Sequence, residues 1–173
     1  SPLRGETFVT KKIVKALCRI KYKKDKKLFL GNIYSKRDWG HAKDYVEMQW
    51  LMLQQDKPED YVIATGKQYS VRDFVKLSCK YAGIEIKFEG EGINEVGVVR
   101  NMDTEIDNLK EGDIIIRVDE KYFRPAEVET LLGDSTKAKN QLNWTPKISV
   151  AQLCEEMVKE DIKKAINEKL LKN

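Results

Sequence analysis

The sequence predicts a mixed α/β domain, because segments with apolar residues at helical spacing alternate with short apolar runs of strand length. Glycine, asparagine or proline separates most of these segments. No internal repeat or low-complexity linker divides the 173 residues, a length that suits one domain or slightly more. We therefore expect one α/β unit over residues 1–165 and a frayed tail over residues 166–173.

The chain begins with a helix–strand pair. Ile13, Leu17 and Ile20 recur at helical spacing in a segment that starts near Thr10. Residues 27–30 then form a short apolar run that predicts a strand, which Gly31-Asn32 ends.

A second helix–strand pair follows. Residues 45–53 are apolar over so much of the helix circumference that we expect this helix to be largely buried and to end before Pro58. The compact apolar run of residues 61–64, closed by Gly66, predicts a strand.

Ser70 and Asp73 have the spacing of a capping box, with the shorter acid in place of glutamate, and predict a helix that runs to Gly83. The following region predicts short strands, among them residues 84–88 and residues 114–118, with glycines between them.

Two helices complete the predicted order of elements. Asp134-Ser135 can cap a short helix that reaches Leu142. Ser149 and Gln152 form a clear capping box for a final helix, which we expect to fray after Lys163.

Charge indicates little about partners, since 32 basic and 28 acidic residues give a net charge of +4 with both signs interspersed. The exception is the basic run of residues 21–27, which contains one tyrosine. It can be interpreted as a nucleic-acid patch or as a solvated helix end whose lysines are stabilised by the helix macrodipole. We favour the helix end and expect no nucleic-acid partner.

The cysteines and the hydropathy predict a reduced cytoplasmic protein. Cys18, Cys79 and Cys154 are widely separated, and the lone His41 cannot complete a usual zinc site, so we expect buried free thiols and no metal. No apolar run approaches the ~20 residues that span a bilayer, and the first residues lack a basic-then-apolar signal. We expect no membrane insertion.

Catalytic motifs are absent from the sequence. Gly90 and Gly92 are two residues apart, but Glu95 stands where a dinucleotide-binding loop needs its third glycine. Tyr22 and Lys26 have the spacing of a dehydrogenase Tyr-x-x-x-Lys pair, but they lie in the solvated basic run. We therefore predict no catalytic residue.

Two arginines instead predict anion binding. Arg37 opens the segment of residues 37–46, in which a glycine precedes an apolar helix, and Arg124 lies at a sharp turn within residues 122–134. The planar guanidinium binds phosphate oxygens bidentately, so two arginines on separate loops suit a diphosphate. Asp38 and Asp44 are interpreted as residues that cap or brace the helix.

These two segments, together with residues 1–10 and residues 142–146, resemble the C-terminal half of the GDP-mannose 4,6-dehydratases, which are extended short-chain dehydrogenases. The resemblance runs from residue 1 to about residue 165. It implies an NAD(P)-binding Rossmann-type fold of which this chain is the mixed α/β substrate-binding part, with some elements that would complete a Rossmann sheet. The family's glycine-rich dinucleotide loop and its catalytic Ser/Thr, Tyr and Lys belong to an N-terminal half that this chain lacks.

The resemblance also implies roles for individual residues. Arg37 and Arg124 match positions that contact the substrate diphosphate, and Glu127 is placed to accept hydrogen bonds from the ribose hydroxyls. Arg4 matches a segment that touches the nicotinamide cofactor. The residues implied to border or cover the guanine are Val9, Thr10, Lys12, Gly31 and Asn32.

Lys11 stands where relatives often have arginine, and we expect it to keep the local charge. The three tryptophans Trp39, Trp50 and Trp144 are interpreted as core or hinge residues rather than platforms for base stacking.

The implied activity is conversion of GDP-mannose to GDP-4-keto-6-deoxymannose, with bound NADP taking hydride from C4, water leaving across C5 and C6, and hydride returning to C6. The whole enzyme is expected to be a homodimer or homotetramer, and this portion alone is expected to be inactive. Three alternatives remain: a GDP-sugar reductase or epimerase of the same superfamily, a free-standing guanine-nucleotide-sugar binding module, and a non-enzymic basic interaction protein that uses the lysine run.

Overall fold

The fold combines five α-helices and two short 3-10 helices with six short strands in the part of the chain that the computed structural model describes, residues 1–22, 25–104, 106, 109–123, 126 and 128–170. The α-helices are α1 (Val9–Lys21), α2 (Ala42–Leu53), α3 (Val71–Tyr81), α4 (Thr136–Leu142) and α5 (Val150–Leu170). The strands are β1 (Leu28–Leu30), β2 (Lys36–Arg37), β3 (Tyr69–Ser70), β4 (Ile84–Glu89), β5 (Val96–Met102) and β6 (Ile114–Val118).

Four of the strands form one mixed sheet in the order β1-β6-β5-β4. Strand β1 is parallel to β6, with Leu28 opposite Ile116, whereas β4, β5 and β6 are joined by antiparallel pairings. Strands β2 and β3 form a separate antiparallel pair, in which Lys36 lies opposite Ser70. The mixed α/β class that the sequence predicted is confirmed.

The main core lies between this sheet and helices α1, α3 and α5. Ile13, Phe74, Ile116 and Met157 are fully buried in it. Burial of each such side chain contributes about 1.5–3 kcal/mol. Both predicted capping boxes are present, at Ser70 for α3 and at Ser149 for α5, so local hydrogen bonds fix where two of the three core helices begin.

Helices α1 and α5 are also joined by a buried ion pair. The Lys11 ammonium lies 2.5 Å from the Asp161 carboxylate, and both side chains are almost completely buried. Lys11 also donates a hydrogen bond of 3.1 Å to the carbonyl of Pro2, which attaches the N-terminal segment to the two helices. The positive charge expected at this position is therefore used to hold the scaffold together.

A second, smaller cluster forms around α2 and α4. Met48 and Trp144 are buried in it, and the Trp144 indole donates to the carbonyl of Asp44. The Asp44 carboxylate accepts hydrogen bonds from the amides of Lys147 and Ile148, so the prediction that it braces the helix is confirmed. Asp38 instead accepts from the turn at residues 65–66.

The expectation that α2 is largely buried is wrong. Val46, Trp50 and Leu53 are 61%, 60% and 81% exposed. One stripe of the helix, which carries Met48, packs on the second cluster, and none of the described residues covers the opposite side. Trp50 is therefore not a core residue here, whereas Trp144 is buried and Trp39 packs against Phe74 with ring centroids 5.1 Å apart.

Two other elements differ from the predictions. Residues 61–64 form no strand, because a strand needs a neighbouring ladder and the described residues provide none beside this run. Helix α5 continues to Leu170 instead of ending near Lys163, and Ala165 is still buried against the core.

The three cysteines are free and buried, as the sequence predicted. Burial raises the pKa of the Cys18 thiol to about 12 and that of the Cys154 thiol to about 11, so neither is a nucleophile near neutral pH. Among the described residues, none of the helices has the length and hydropathy that crossing a bilayer requires.

Candidate functional site

A cavity of about 710 Å³ opens beside the start of α1, the end of β1 and the turn at residues 121–123. It contains five of the residues that the sequence predicted for substrate binding: Val9, Lys12, Gly31, Asn32 and Arg37. Its other lining residues are Thr7, Phe8, Leu30, Val71, Lys121, Tyr122 and Phe123. Segments that are far apart in the sequence thus meet at one site.

The first turn of α1 forms one wall. Phe8 precedes the helix with an extended backbone, and Thr7, Phe8 and Val9 line the cavity. The first turn carries no acidic residue of its own, so its amide groups keep their partial positive charge. This end of the helix therefore favours an anion.

Gly31 is required at its position by the close approach of two backbone segments. A Cβ atom on Gly31 would lie 2.3 Å from the carbonyl oxygen of Tyr122. The amide of Asp119 donates to the carbonyl of Leu30 at 2.8 Å, which holds the two segments together. Glycine thus lets the residue 121–123 turn close against the end of β1 and brings Tyr122 into the cavity.

Lys12 lies over the ring of Tyr122, with its ammonium nitrogen 3.9 Å from the ring centroid. Lys121 approaches the same ring at 5.1 Å. Burial, followed by the charge of Lys121, lowers the pKa of Lys12 below its ordinary value of 10.5, against the opposing effect of Asp119. A bound anion would relieve the repulsion between these two cations.

Arg37 reaches the cavity from strand β2. Pairing of Lys36 with Ser70 on β3 fixes the strand, and the amide of Leu131 donates to the carbonyl of Lys36. The Arg37 guanidinium donates to the Lys36 carbonyl at 2.8 Å and to the Glu129 carbonyl at 3.5 Å. Backbone contacts therefore position this side chain before any ligand arrives.

Two predicted residues lie away from the cavity lining. Thr10 is buried in α1, because a step of one residue rotates it away from the face that Val9 and Lys12 share at i, i+3 spacing. Arg4 is exposed, and its guanidinium stacks on the ring of Phe8 at 3.6 Å. It therefore approaches the cavity only through Phe8.

Arg124 and Glu127 lie outside the described residues, and their proposed contacts with the diphosphate and the ribose stay predictions. Sequence reasoning did not single out Lys121, Tyr122 or Phe123 as binding residues. They directly precede Arg124, so the motif that singled out Arg124 could also have indicated these three neighbours.

Together these residues suit a nucleotide. Lys12, Arg37 and Lys121 supply three cations around one cavity, and Phe8 and Tyr122 supply aromatic rings. Cations pair with phosphate oxygens, and aromatic rings pack against a base or a sugar. The arrangement therefore supports binding of an anionic ligand that carries a flat ring.

The sequence profile of the family described as GDP-mannose 4,6 dehydratase matches residues 1–157. The GDP-mannose 4,6-dehydratase of Yersinia enterocolitica serotype O:8 is 58% identical over 173 residues, which are 99% of this chain and 46% of that protein. The enzyme of the same description from Vibrio cholerae is 56% identical over the same shares of the two chains. The one from Homo sapiens is 48% identical over 162 residues, 94% of this chain and 41% of that protein.

The chain thus spans just under half the length of these relatives. Among solved structures, RMD from Pseudomonas aeruginosa complexed with NADPH superimposes with a TM-score of 0.69 at 16% identity, over 93% of this chain and 44% of that one. The dTDP-glucose 4,6-dehydratase of Bacillus anthracis in complex with NAD gives 0.63 at 19% identity, over 95% of this chain and 42% of that one. These likenesses show a shared fold.

Proposed function

This chain belongs to the GDP-mannose 4,6-dehydratase family, and we propose that it is the portion of such an enzyme that holds the GDP moiety of GDP-mannose. The observation that supports this most directly is the meeting of Val9, Lys12, Gly31, Asn32 and Arg37 in one cavity. Arg37 was predicted to bind a diphosphate from the chemistry of arginine and from the resemblance, the other four were assigned to the guanine by resemblance, and the five come from three separate segments.

The diphosphate is the part of the ligand that needs the cations. Two phosphate groups must leave water and be paired, and Arg37 and Lys121 both line the cavity. A hydrogen bond to a charged group contributes about 1.5–3 kcal/mol. The predicted contact from Arg124 would add a third cation.

The base is the part that gives selectivity. The Lys12 ammonium is a donor that can meet the carbonyl oxygen of guanine, whereas adenine presents an amine at that position. The resemblance implies that Gly31-Asn32 covers the base, and both residues line the cavity, in which the ring of Tyr122 lies beside Lys12. We therefore expect GDP to bind more tightly than UDP or ADP.

For the whole enzyme we propose conversion of GDP-mannose to GDP-4-keto-6-deoxymannose with NADP as cofactor. The net change is loss of one water, since oxidation at C4 and reduction at C6 balance. Arg4 is this chain's candidate contact with NADP. Gly90 and Gly92 lie in the connection between antiparallel strands β4 and β5, which contains a short 3-10 helix, rather than in a loop between a strand and an α-helix. We assign the cofactor and the catalytic groups to the part of the relatives that this chain does not match.

We further propose a cytoplasmic enzyme, which the three free thiols support because such thiols persist in reducing compartments. A homodimer or homotetramer of the whole enzyme is an expectation from the resemblance.

Calorimetric titration of the 173-residue chain tests the binding proposal. GDP should bind at least about tenfold more tightly than UDP, and Lys12→Met or Arg37→Met should each weaken GDP binding by about tenfold or more. Lys15→Met is the matched control, because Lys15 lies on the same helix, outside the cavity, and pairs with Glu6.

The salt dependence of nucleotide affinity distinguishes binding in the cavity from binding by a non-enzymic basic module. Binding through the lysine run would fall steeply with salt and would not distinguish the bases. Equal affinity for GDP and UDP, unchanged by both pocket variants, would contradict the proposal. In the whole enzyme, the Arg37 variant should raise KM more than it lowers kcat, because binding rather than chemistry is lost.

A further inference from the structure

The carboxylate of Glu95 is 1% exposed and does not line the cavity. It lies directly before strand β5 and receives two hydrogen bonds. The Arg72 guanidinium donates to one oxygen at 2.7 Å, and the Tyr34 hydroxyl donates to the other. Neither Glu95 nor these two partners has a part in the binding site described above.

One of the two donors lies within the segment of residues 31–37, which supplies Gly31, Asn32 and Arg37 to the cavity, and the other lies on the neighbouring helix α3. Arg72 lies in the first turn of α3, where its amide donates to the carbonyl of Ile33 at 2.8 Å. Tyr34 lies within the segment, and its amide donates to the Asn32 side chain at 2.9 Å. One buried carboxylate therefore connects the segment to α3 and β5.

Backbone hydrogen bonds from the amides of Val71 and Arg72 to the carbonyls of Ser35 and Ile33 also hold the segment, and Glu95 adds a link through the Tyr34 side chain. Tyr34 is 51% exposed, so packing alone does not hold its side chain. The hydrogen bond to Glu95 is also the main cause that raises the pKa of Tyr34 above its ordinary value of 10.0. Conversely, a buried carboxylate that loses a donor is left partly unpaired, which is costly. Tyr34 and Glu95 thus depend on each other, whereas Arg72 also lies over the ring of Phe88 at 4.5 Å.

We propose that Glu95 is a positioning residue that, through Tyr34 and Arg72, holds residues 31–37 in the geometry needed to bind the nucleoside diphosphate. This inference rests on the proposed GDP-binding function. It concerns residues that never touch the ligand, and the sequence separations of 61 and 23 residues explain why no local motif revealed it.

The test uses Tyr34→Phe and Glu95→Gln in the 173-residue chain. Tyr34→Phe removes one donor from a half-exposed side chain, and Glu95→Gln removes the charge while keeping the shape. The controls are Tyr81→Phe, at the far end of α3, and Glu89→Gln, which lies in an exposed pair with Lys87. Two quantities are measured: the backbone amide chemical shifts of residues 31–37 without ligand, and the affinity for GDP.

Tyr34→Phe should shift the amide signals of residues 31–37 and weaken GDP binding about fivefold, with the thermal midpoint lowered by about 3–6 °C because the buried carboxylate loses one donor. Glu95→Gln should weaken binding about tenfold or more, and the double variant should lose less than the product of the two single effects. Both controls should match the wild type. Such results would support the positioning role, and if Glu95→Gln does not fold, the Tyr34→Phe result decides alone.

Unchanged amide signals and unchanged GDP affinity in Tyr34→Phe would overturn the inference while leaving GDP binding intact. If the wild-type chain does not bind GDP, the proposed function fails instead. In that case the ligand-free amide signals still decide whether Glu95 positions the segment.

Discussion

The main core and the second cluster differ in how completely the described residues enclose them. Helices α1, α3 and α5 bury their apolar stripes against each other and the four-stranded sheet, and Phe74 and Met157 are fully buried there. The second cluster has four buried residues, and the outer side of α2 leaves Val46, Trp50 and Leu53 exposed. Because most of the candidate nucleotide cavity is lined by the starts of α1 and α3 and the end of β1, it adjoins the enclosed region. We therefore expect this chain to form the cavity by itself.

The largest effect is expected from breaking the Lys11–Asp161 pair within the main core. Lys11→Met leaves the Asp161 carboxylate buried without its partner and should lower the free energy of unfolding by about 3–5 kcal/mol in urea denaturation. Combining it with Asp161→Leu should recover most of this loss, since no charge then remains buried. The exposed Lys15–Glu6 pair is the control, and Lys15→Met should cost less than about 1 kcal/mol. A loss below 1 kcal/mol for Lys11→Met would show that the two helices do not depend on the pair.

Gly31→Ala should have the next largest effect. The added Cβ would meet the Tyr122 carbonyl at 2.3 Å, so the two segments must separate, at a cost of about 1–3 kcal/mol. GDP affinity should fall with stability, because the same contact brings Tyr122 into the cavity. Gly5→Ala is the matched control, because its added Cβ would meet only Phe8 at an ordinary distance of 3.4 Å. Equal behaviour of the two variants in urea denaturation would contradict the close approach.

The pH dependence of GDP affinity should show a smaller, several-fold effect. The protonated form of Lys12 binds the anion, so affinity falls as pH rises through its pKa, and the lowered pKa brings this fall below pH 10.5. In Lys12→Arg the cation persists at every accessible pH. The dissociation constant of the wild type divided by that of Lys12→Arg, measured by calorimetry from pH 7 to pH 10, should therefore rise. Protonation changes of GDP itself affect both constants equally and do not alter this ratio. A flat ratio would remove Lys12 from the set of ligand contacts.

The smallest effect on stability is expected on the open side of α2. Trp50→Glu should change the free energy of unfolding by no more than about 0.5 kcal/mol, because the side chain is 60% exposed. It should also reduce self-association at high protein concentration, measured by sedimentation, since a large exposed apolar residue is lost. The core variant Phe74→Ala is the contrast and should cost about 3–5 kcal/mol. A large stability loss in Trp50→Glu would mean that the second region is more enclosed than its exposure indicates.

Short-range signals in the sequence predicted much of the fold. The capping boxes at Ser70 and Ser149 involve residues three apart, and the stripe of α1 repeats every turn, so both can be found without tertiary information. Residues 61–64 show the limit, because an apolar run becomes a strand only when another strand lies beside it. The prediction that α2 is largely buried was wrong for the same reason, since the spacing of apolar residues predicts a helix but not which elements pack against it.

The residues of the candidate site also differ in whether the sequence could predict them. Resemblance, rather than pattern, predicted Val9, Lys12 and Gly31, and the cavity brings them together. The roles of Lys121 and Tyr122 depend on the close approach at Gly31, which no sequence spacing expresses. From the sequence, Glu95 was noted only because it stands where a dinucleotide-binding loop needs a glycine. Its role as a hydrogen-bond acceptor for Tyr34 and Arg72 could not be predicted, because these partners are distant along the chain.

Titration of ¹⁵N-labelled protein with GDP tests the central claim most directly, since it shows where the nucleotide binds. We expect saturable shifts of the amide signals of Val9, Lys12, Gly31 and Asn32, with little change at Lys26 and Lys27, and much weaker shifts with UDP. Shifts centred on Lys26 and Lys27 that vanish with added salt, or no saturable shift at the cavity, would contradict the assignment of this chain as the GDP-holding portion of the enzyme.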